Sequence, residues 1–238
     1  MNVQVCMPGQ EPDWDAYVSA RAEATVFHLA GWKGVIERAT GQAGHYLMAW
    51  EGARVVGIYP LFVVSSRLFG AQGVSLPFVS YGGIVADDAA AEQALGAEGA
   101  RIARAAGCDS IELRQLHPLR SPWPTTDRKV VTEIALDGGA EATFARLHSN
   151  VRNKIRKAEK SGVTVDQGAA GLADFYAIYS RNLRDLGTPV LTRRFFEAAL
   201  EAFPERIRIY RARRQGKTIA AKMVVRGRDV CHFVWSAS

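Results

Sequence analysis

The sequence predicts an α/β protein in two lobes, and three observations predict it. Helical and β-type apolar runs follow one another along the chain. The same order, helices and then a β-hairpin region, occurs in each half, and Gly138-Gly139 offers a hinge between the halves, giving lobes 1–138 and 139–238. The halves also differ in charge. Residues 1–149 carry 12 basic and 16 acidic side chains, net −4, whereas residues 150–238 carry 18 and 8, net +10. With 238 residues, 48% hydrophobic and 23% charged, the chain can bury a core without staples and lies far from disordered composition.

The elements follow in order. Val3–Cys6 suits a short strand, and Trp14–Ala20 a helix opened by Pro12 and Asp13. Thr25–Thr40 reads as one helix, with Phe27, Trp32, Val35 and Ile36 near helical spacing and Gly41 as the stop. His45–Trp50 and Arg54–Ser65 flank the turn Glu51-Gly52 and predict a hairpin. Pro60 inside the second run points to a bulge or an edge position. Asp87–Ala106 is an Ala-rich helix closed by Gly107, and Ser110–Leu116 and Lys129–Leu136 read as strands.

In the second half, Ala140–Lys160 predicts one amphipathic helix through Phe144, Leu147, Val151 and Ile155, ended by Ser161-Gly162. A strand at Val163–Asp166 and helices over Leu172–Leu186 and Thr192–Ala202 follow. Ile207–Arg213, Thr218–Arg226 and Val230–Trp235 then read as three strands joined at Gln215-Gly216 and Gly227.

Several functional classes fail on spacing. Gly216-Lys217-Thr218 lacks the upstream glycine of a phosphate-binding P-loop, because position 211 is arginine. Arg38-Ala-Thr-Gly-Gln-Ala43 has the spacing of an acetyl-CoA pyrophosphate loop but sits at a helix end, where a glycine stop accounts for it. The five histidines form no metal-binding pair, and no serine or cysteine is set up as a nucleophile. Three scattered cysteines build no disulfide framework, which suits a reducing compartment. The N-terminal residues do not read as a signal peptide, and the most apolar run, Val55–Val64, is far short of the ~20 residues that span a bilayer. The expectation is a soluble, cytoplasmic protein.

Three features remain. Asn150–Lys160 places Arg152, Arg156 and Lys160 in one stripe by i,i+4 spacing, with Lys157 beside it and Lys154 nearby. Such a stripe suits a phosphate-bearing ligand, which takes several charge-assisted donors at once, and suits a solvated helix face equally. In Phe78-Val-Ser-Tyr-Gly-Gly83, Gly82 and Gly83 after Tyr81 allow close backbone approach or an ordinary turn. The last run, Cys231–Ser238, alternates His232 with Phe233 and Trp235, and Trp32 could line a pocket or pack in a core.

These pieces resemble the FemAB-like transferases. The matching stretches are Phe27-His-Leu-Ala-Gly-Trp32, Val56-Gly-Ile-Tyr-Pro-Leu-Phe62, Ser80-Tyr-Gly-Gly83, Asn150–Gly162 and the final hairpins ending Val234-Trp235-Ser236. The resemblance implies two tandem Gcn5-related N-acetyltransferase (GNAT)-like lobes. It also implies transfer of an acyl or aminoacyl group to an amine of a cell-envelope or exopolysaccharide-related acceptor. The co-substrate would be acyl-CoA or aminoacyl-tRNA, with no bound cofactor or metal and no covalent enzyme intermediate. The long helical insertion of some bridge-forming relatives is missing, which turns the expectation from tRNA toward acyl-CoA.

On this reading Arg152, Lys154, Arg156 and Lys157 meet phosphate-bearing groups of donor or acceptor, tRNA included. Trp32, Tyr81 and Trp235 line a cleft, and Tyr81 or His232 moves a proton. Peripheral membrane contact, a small-molecule N-acyltransferase and a non-catalytic polyanion- or RNA-binding module stay open as alternatives. The apolar ending at Val230–Trp235 further suggests a second lobe that stops early, before the place where an acyl-CoA loop is expected.

Overall fold

The computed structural model describes residues 1–66, 70–126 and 130–238. In the first lobe the chain runs β1 (Asn2–Val5), α1 (Glu11–Ser19), a 3₁₀ turn (Val26–His28), α2 (Gly31–Thr40), β2 (Gly44–Glu51), β3 (Arg54–Ser66), β4 (Gly70–Val74), β5 (Val85–Ala86), α3 (Ala89–Ala105) and β6 (Cys108–Glu112). Their sheet has the order β1-β2-β3-β4-β6, with β5 beside β3. All pairs are antiparallel except β4 with β6, which α3 connects.

The second lobe runs α4 (Gly139–Arg146), α5 (Ser149–Lys160), β7 (Thr164–Gln167), α6 (Leu172–Asp185), α7 (Arg193–Ala202), β8 (Ile207–Arg214), β9 (Lys217–Arg226) and β10 (Cys231–Ala237). Its antiparallel sheet has the order β10-β9-β8-β7. Gln215 and Gly216, both at positive φ, make the two-residue turn between β8 and β9.

The lobes share one core. Trp32 of α2 packs on Phe203 at 4.9 Å between ring centroids, and on Phe195 and Trp235 at 6.4 Å each. Phe195 and Phe196 of α7 in turn face Trp235 edge-on at 5.5 and 5.6 Å. Arg38 closes the rim of this contact, donating to Glu201 Oε2 at 2.8 Å and to the Ala198 carbonyl at 3.3 Å. The contact between the lobes is thus made through α2, α7 and Trp235, while α3 covers the other face of the first sheet in a core of its own.

Pro60 sits at a gap in the ladder. On one side of β3 it lies opposite Tyr46; on the other, β5 pairs Gly57 and Ile58 while β4 begins at Phe62. The missing N–H thus falls where β3 passes from one neighbour to the next.

Three expected elements come out differently. The helix over Thr25–Thr40 is two pieces, because Thr25 caps the 3₁₀ turn and Leu29 is extended at φ −60°, ψ 140°. The helix over Ala140–Lys160 is likewise broken: Leu147 and His148 are extended, and the His148 ring accepts the Asn150 N–H at 3.3 Å. Of the expected strand Lys129–Leu136, Lys129 lies outside the described residues, and residues 130–136 form no strand. Val130 is 89% exposed, so the β-prone side chains have found no partner surface to bury against.

Candidate active site

The loop between β4 and β5 and the start of β10 bring Tyr81 and His232 together from different lobes. Their ring centroids are 6.0 Å apart, at an interplanar angle of 63°. Phe27 completes the cluster, 5.0 Å from the His232 ring and 6.3 Å from Tyr81. Strand register explains the placement of His232. It pairs with Val225, and Val225 with Ile207, so it belongs to the face of the second sheet that carries the buried core.

Both polar rings are half-buried, and neither has a hydrogen-bond partner among the described residues. Burial pushes the His232 imidazole down from its usual 6.5, opposed by the nearby Glu133 carboxylate. Burial, and then the same carboxylate, push the Tyr81 phenol above its usual 10. At neutral pH the site therefore holds a neutral imidazole able to accept a proton and a phenol that keeps its own.

His28, beneath this cluster, is fully buried. Its Nδ1 accepts the Thr25 N–H at 3.0 Å, so the proton of the neutral ring lies on Nε2. Nε2 faces the Gly83 backbone without a well-formed hydrogen bond. Burial depresses its pKa to about 4. The Trp14 indole donates to the His28 carbonyl at 2.6 Å and ties the turn to α1.

Other expected site residues have different work. Trp32 is 0% exposed and Trp235 4%, so both belong to the inter-lobe core and neither lines a cleft. The Trp32 indole donates to the Val26 carbonyl at 3.0 Å, which leaves it no polar atom for a ligand. Gly82 and Gly83 are glycine for internal packing. A Cβ on Gly82, at φ 154°, would overlap Leu76 Cβ, and one on Gly83 would overlap the Gln115 amide.

In the basic helix the stripe is divided. Arg152 donates to the Ala145 carbonyl at 2.9 Å and to that of Leu147, so it caps α4 rather than standing free. Arg156 lies over the Phe144 ring at 5.4 Å, whereas Lys154 and Lys157 are exposed with no ion pair among the described residues.

An open hollow of about 450 Å³ lies elsewhere, lined by Tyr210, Lys222 and Ser236 from the sheet face opposite His232. Among the described residues no group of three or more His, Cys, Asp or Glu side chains could hold a metal, and no helix is long and apolar enough to cross a membrane.

Phe27, His28 and Glu133 are the site residues that the sequence reading missed. Thr25 three residues before His28 is a capping spacing that could have marked the buried turn. Nothing local marks Glu133, which reaches the rings only through the fold.

The fold defines the class of the molecule: an α/β protein of two tandem GNAT-like lobes. Residues 145–238 match the family model of the acetyltransferase (GNAT) domain. No match was found among curated proteins. The chain is similar to the crystal structure of FemX over 100% of its own length and 80% of that chain, with a TM-score of 0.69 at 13% identity. At that identity the likeness is one of fold. Two looser matches accompany it. One is a tandem GNAT protein from the clavulanic acid biosynthesis pathway, with a TM-score of 0.49 at 10% identity over 98% of this chain and 78% of that one. The other is a Trypanosoma brucei acetyltransferase, with a TM-score of 0.36 at 17% identity over 56% of this chain and 98% of that one.

Proposed function

We propose that the chain transfers an acyl group from acyl-CoA to an amine on a cell-envelope or exopolysaccharide-related acceptor, in the cytoplasm, by direct attack. The meeting of Tyr81 with His232 across the lobes carries this reading. The acceptor nitrogen attacks the thioester carbonyl carbon, a C–N bond forms, and the carbonyl π electrons move to oxygen. Neutral His232 takes the proton that the nitrogen must lose. The C–S bond then breaks as the carbonyl re-forms, and CoA leaves as thiolate.

Tyr81, with its phenol held above 10, is a poor acid toward a thiolate of pKa ~8.5. Its role is hydrogen-bond donation to the charge developing on oxygen or sulfur, where a preorganised donor is most effective. Glu133 supplies negative charge beside the pair and stabilises the positive charge that develops on the attacking nitrogen and then on His232. Lys154, Arg156 and Lys157 meet phosphates of donor or acceptor.

The test is thioester consumption against a panel of amines, with aminoacyl-tRNA run in parallel. Turnover is expected with a thioester, and H232A or Y81F should lower kcat by about 10²-fold. The rate should rise with pH through a midpoint below 6.5 as His232 loses its proton, and fall above 10 as Tyr81 loses its own. Transfer from charged tRNA with none from any thioester would reverse the donor assignment. Full activity in both variants would remove the site.

A further inference from the structure

We propose that Arg114 is a positioning residue that sets Tyr81 against His232. The inference rests on the acyl-transfer reading of that pair. Arg114 follows β6 and fastens the loop carrying Tyr81 through backbone and side chain together. Its N–H donates to Ser75 Oγ at 2.9 Å, and its carbonyl accepts the Gly82 N–H at 3.1 Å. Its Nη1 donates to the Val79 carbonyl at 3.1 Å, with the Leu76 carbonyl at the 3.5 Å limit. Glu112 Oε1 accepts from Nε at 2.8 Å and orients the guanidinium.

Val79 and Gly82 bracket Tyr81, so Ser80 and Tyr81 form the apex between two points that one residue holds. The Gly82 shoulder is held by the backbone carbonyl of residue 114, whereas the Val79 shoulder is held by the guanidinium alone, and that is the contact only the arginine side chain supplies. The opposite side of the loop is held by the other lobe, where the Phe78 ring meets Phe195 edge-on at 6.2 Å. Phe78 has a φ of 70°, a conformation that non-glycine residues keep only where the surroundings enforce it. Phe78 lies three residues before Tyr81, so this enforced backbone conformation, packed against the other lobe, helps to fix the path of the loop that carries Tyr81.

Groups facing His232 are Tyr81, Phe27 and the Glu133 carboxylate. Releasing Tyr81 should uncover the imidazole on one side while the other two stay. The imidazole pKa, read by NMR on ring-labelled protein, should therefore rise toward 6.5 in R114A. The same variant should lose about 10²-fold in kcat with KM for the thioester nearly unchanged, the loss expected for a misplaced reacting group.

R114K retains one donor for the Val79 carbonyl and should recover part of both effects. E112Q perturbs only the orientation of the guanidinium from a half-exposed position, so it keeps the proposal testable should R114A fail to fold; a smaller loss of the same kind is expected. R101A, which removes an arginine paired with Glu98 on the surface of α3, is the control that should change neither readout. A folded R114A or E112Q with the wild-type imidazole titration and wild-type kcat would overturn the proposal. If the wild type transfers no acyl group, the acyl-transfer reading falls by itself and the titration decides alone: a shift in R114A upholds the positioning role, and no shift ends it.

Discussion

Replacing Trp32 by alanine separates a core residue from a cleft wall. Its ring is wholly buried among Phe27, Phe195, Phe203 and Trp235, drawn from both lobes. Removing a buried aromatic ring costs ~3–5 kcal/mol in transfer and cavity terms. The Val26 carbonyl also loses its indole donor, which adds about 1 kcal/mol. The total, roughly 4–6 kcal/mol, rivals the whole stability of many domains. With a urea m-value of ~3 kcal/mol/M, the midpoint should fall by about 1.3–2 M. Trp32→Phe keeps a ring and loses the donor, so it should fall by about a fifth as much. Equilibrium urea unfolding followed by far-UV circular dichroism reads both variants. An unchanged midpoint in W32A together with a raised KM for the thioester would refute the core assignment and restore Trp32 to a ligand cleft.

Three further outcomes follow from the same contacts. His28 has a pKa of about 4 when folded and an ordinary 6.5 when unfolded. The unfolded chain takes up the proton first, so its contribution, roughly 3 kcal/mol at ~1.4 kcal/mol per pH unit, is complete above 6.5 and lost as pH falls toward 4. Urea titrations across that window should show the loss in wild type and a shallower one in H28Q. Gly82→Ala should destabilise far more than Gly83→Ala, since the first drives a Cβ into the base of Leu76 and the second meets only the movable end of Gln115; thermal melts of the two variants, with the order reversed, would contradict this. The R156E/K157E double variant should weaken binding of CoA by more than about tenfold with an unchanged circular dichroism spectrum, because exposed charges contribute only ~0–1 kcal/mol to folding; wild-type affinity by calorimetry would reduce α5 to a solvated face.

Local chemistry made much of the fold legible. The β2–β3 hairpin follows from two apolar runs around Glu51-Gly52, and its proline falls where the ladder has a gap. The hairpins of the second sheet follow from Gln215-Gly216 and Gly227 in the same way. The break at Leu147-His148 did not show, because Phe144, Leu147, Val151 and Ile155 keep helical spacing straight through it. Strand propensity at 130–136 misled for a related reason. Propensity reports what a segment can bury, and only tertiary structure decides whether an edge is within reach.

The site was legible in pieces but not as an assembly. Tyr81 and His232 stood out separately, one beside paired glycines and one in a terminal strand, yet their contact depends on how the two lobes dock. The same docking converts Trp32 and Trp235 from candidate cleft walls into core, since an aromatic near a strand end looks alike in both roles until a partner lobe covers it. Charge behaves similarly. Arg184, Arg193, Arg208, Arg211, Arg213 and Arg228 each pair with a carboxylate, so much of the basic excess of the second half is matched locally. On α5 the basic residues have no ion pair among the described residues, and Arg152 alone is drawn into the fold by the carbonyls of α4. The unmatched charge is therefore narrower than the sequence count implies: Lys154 and Lys157 stand exposed without an ion pair among the described residues, whereas Arg156 lies over the Phe144 ring.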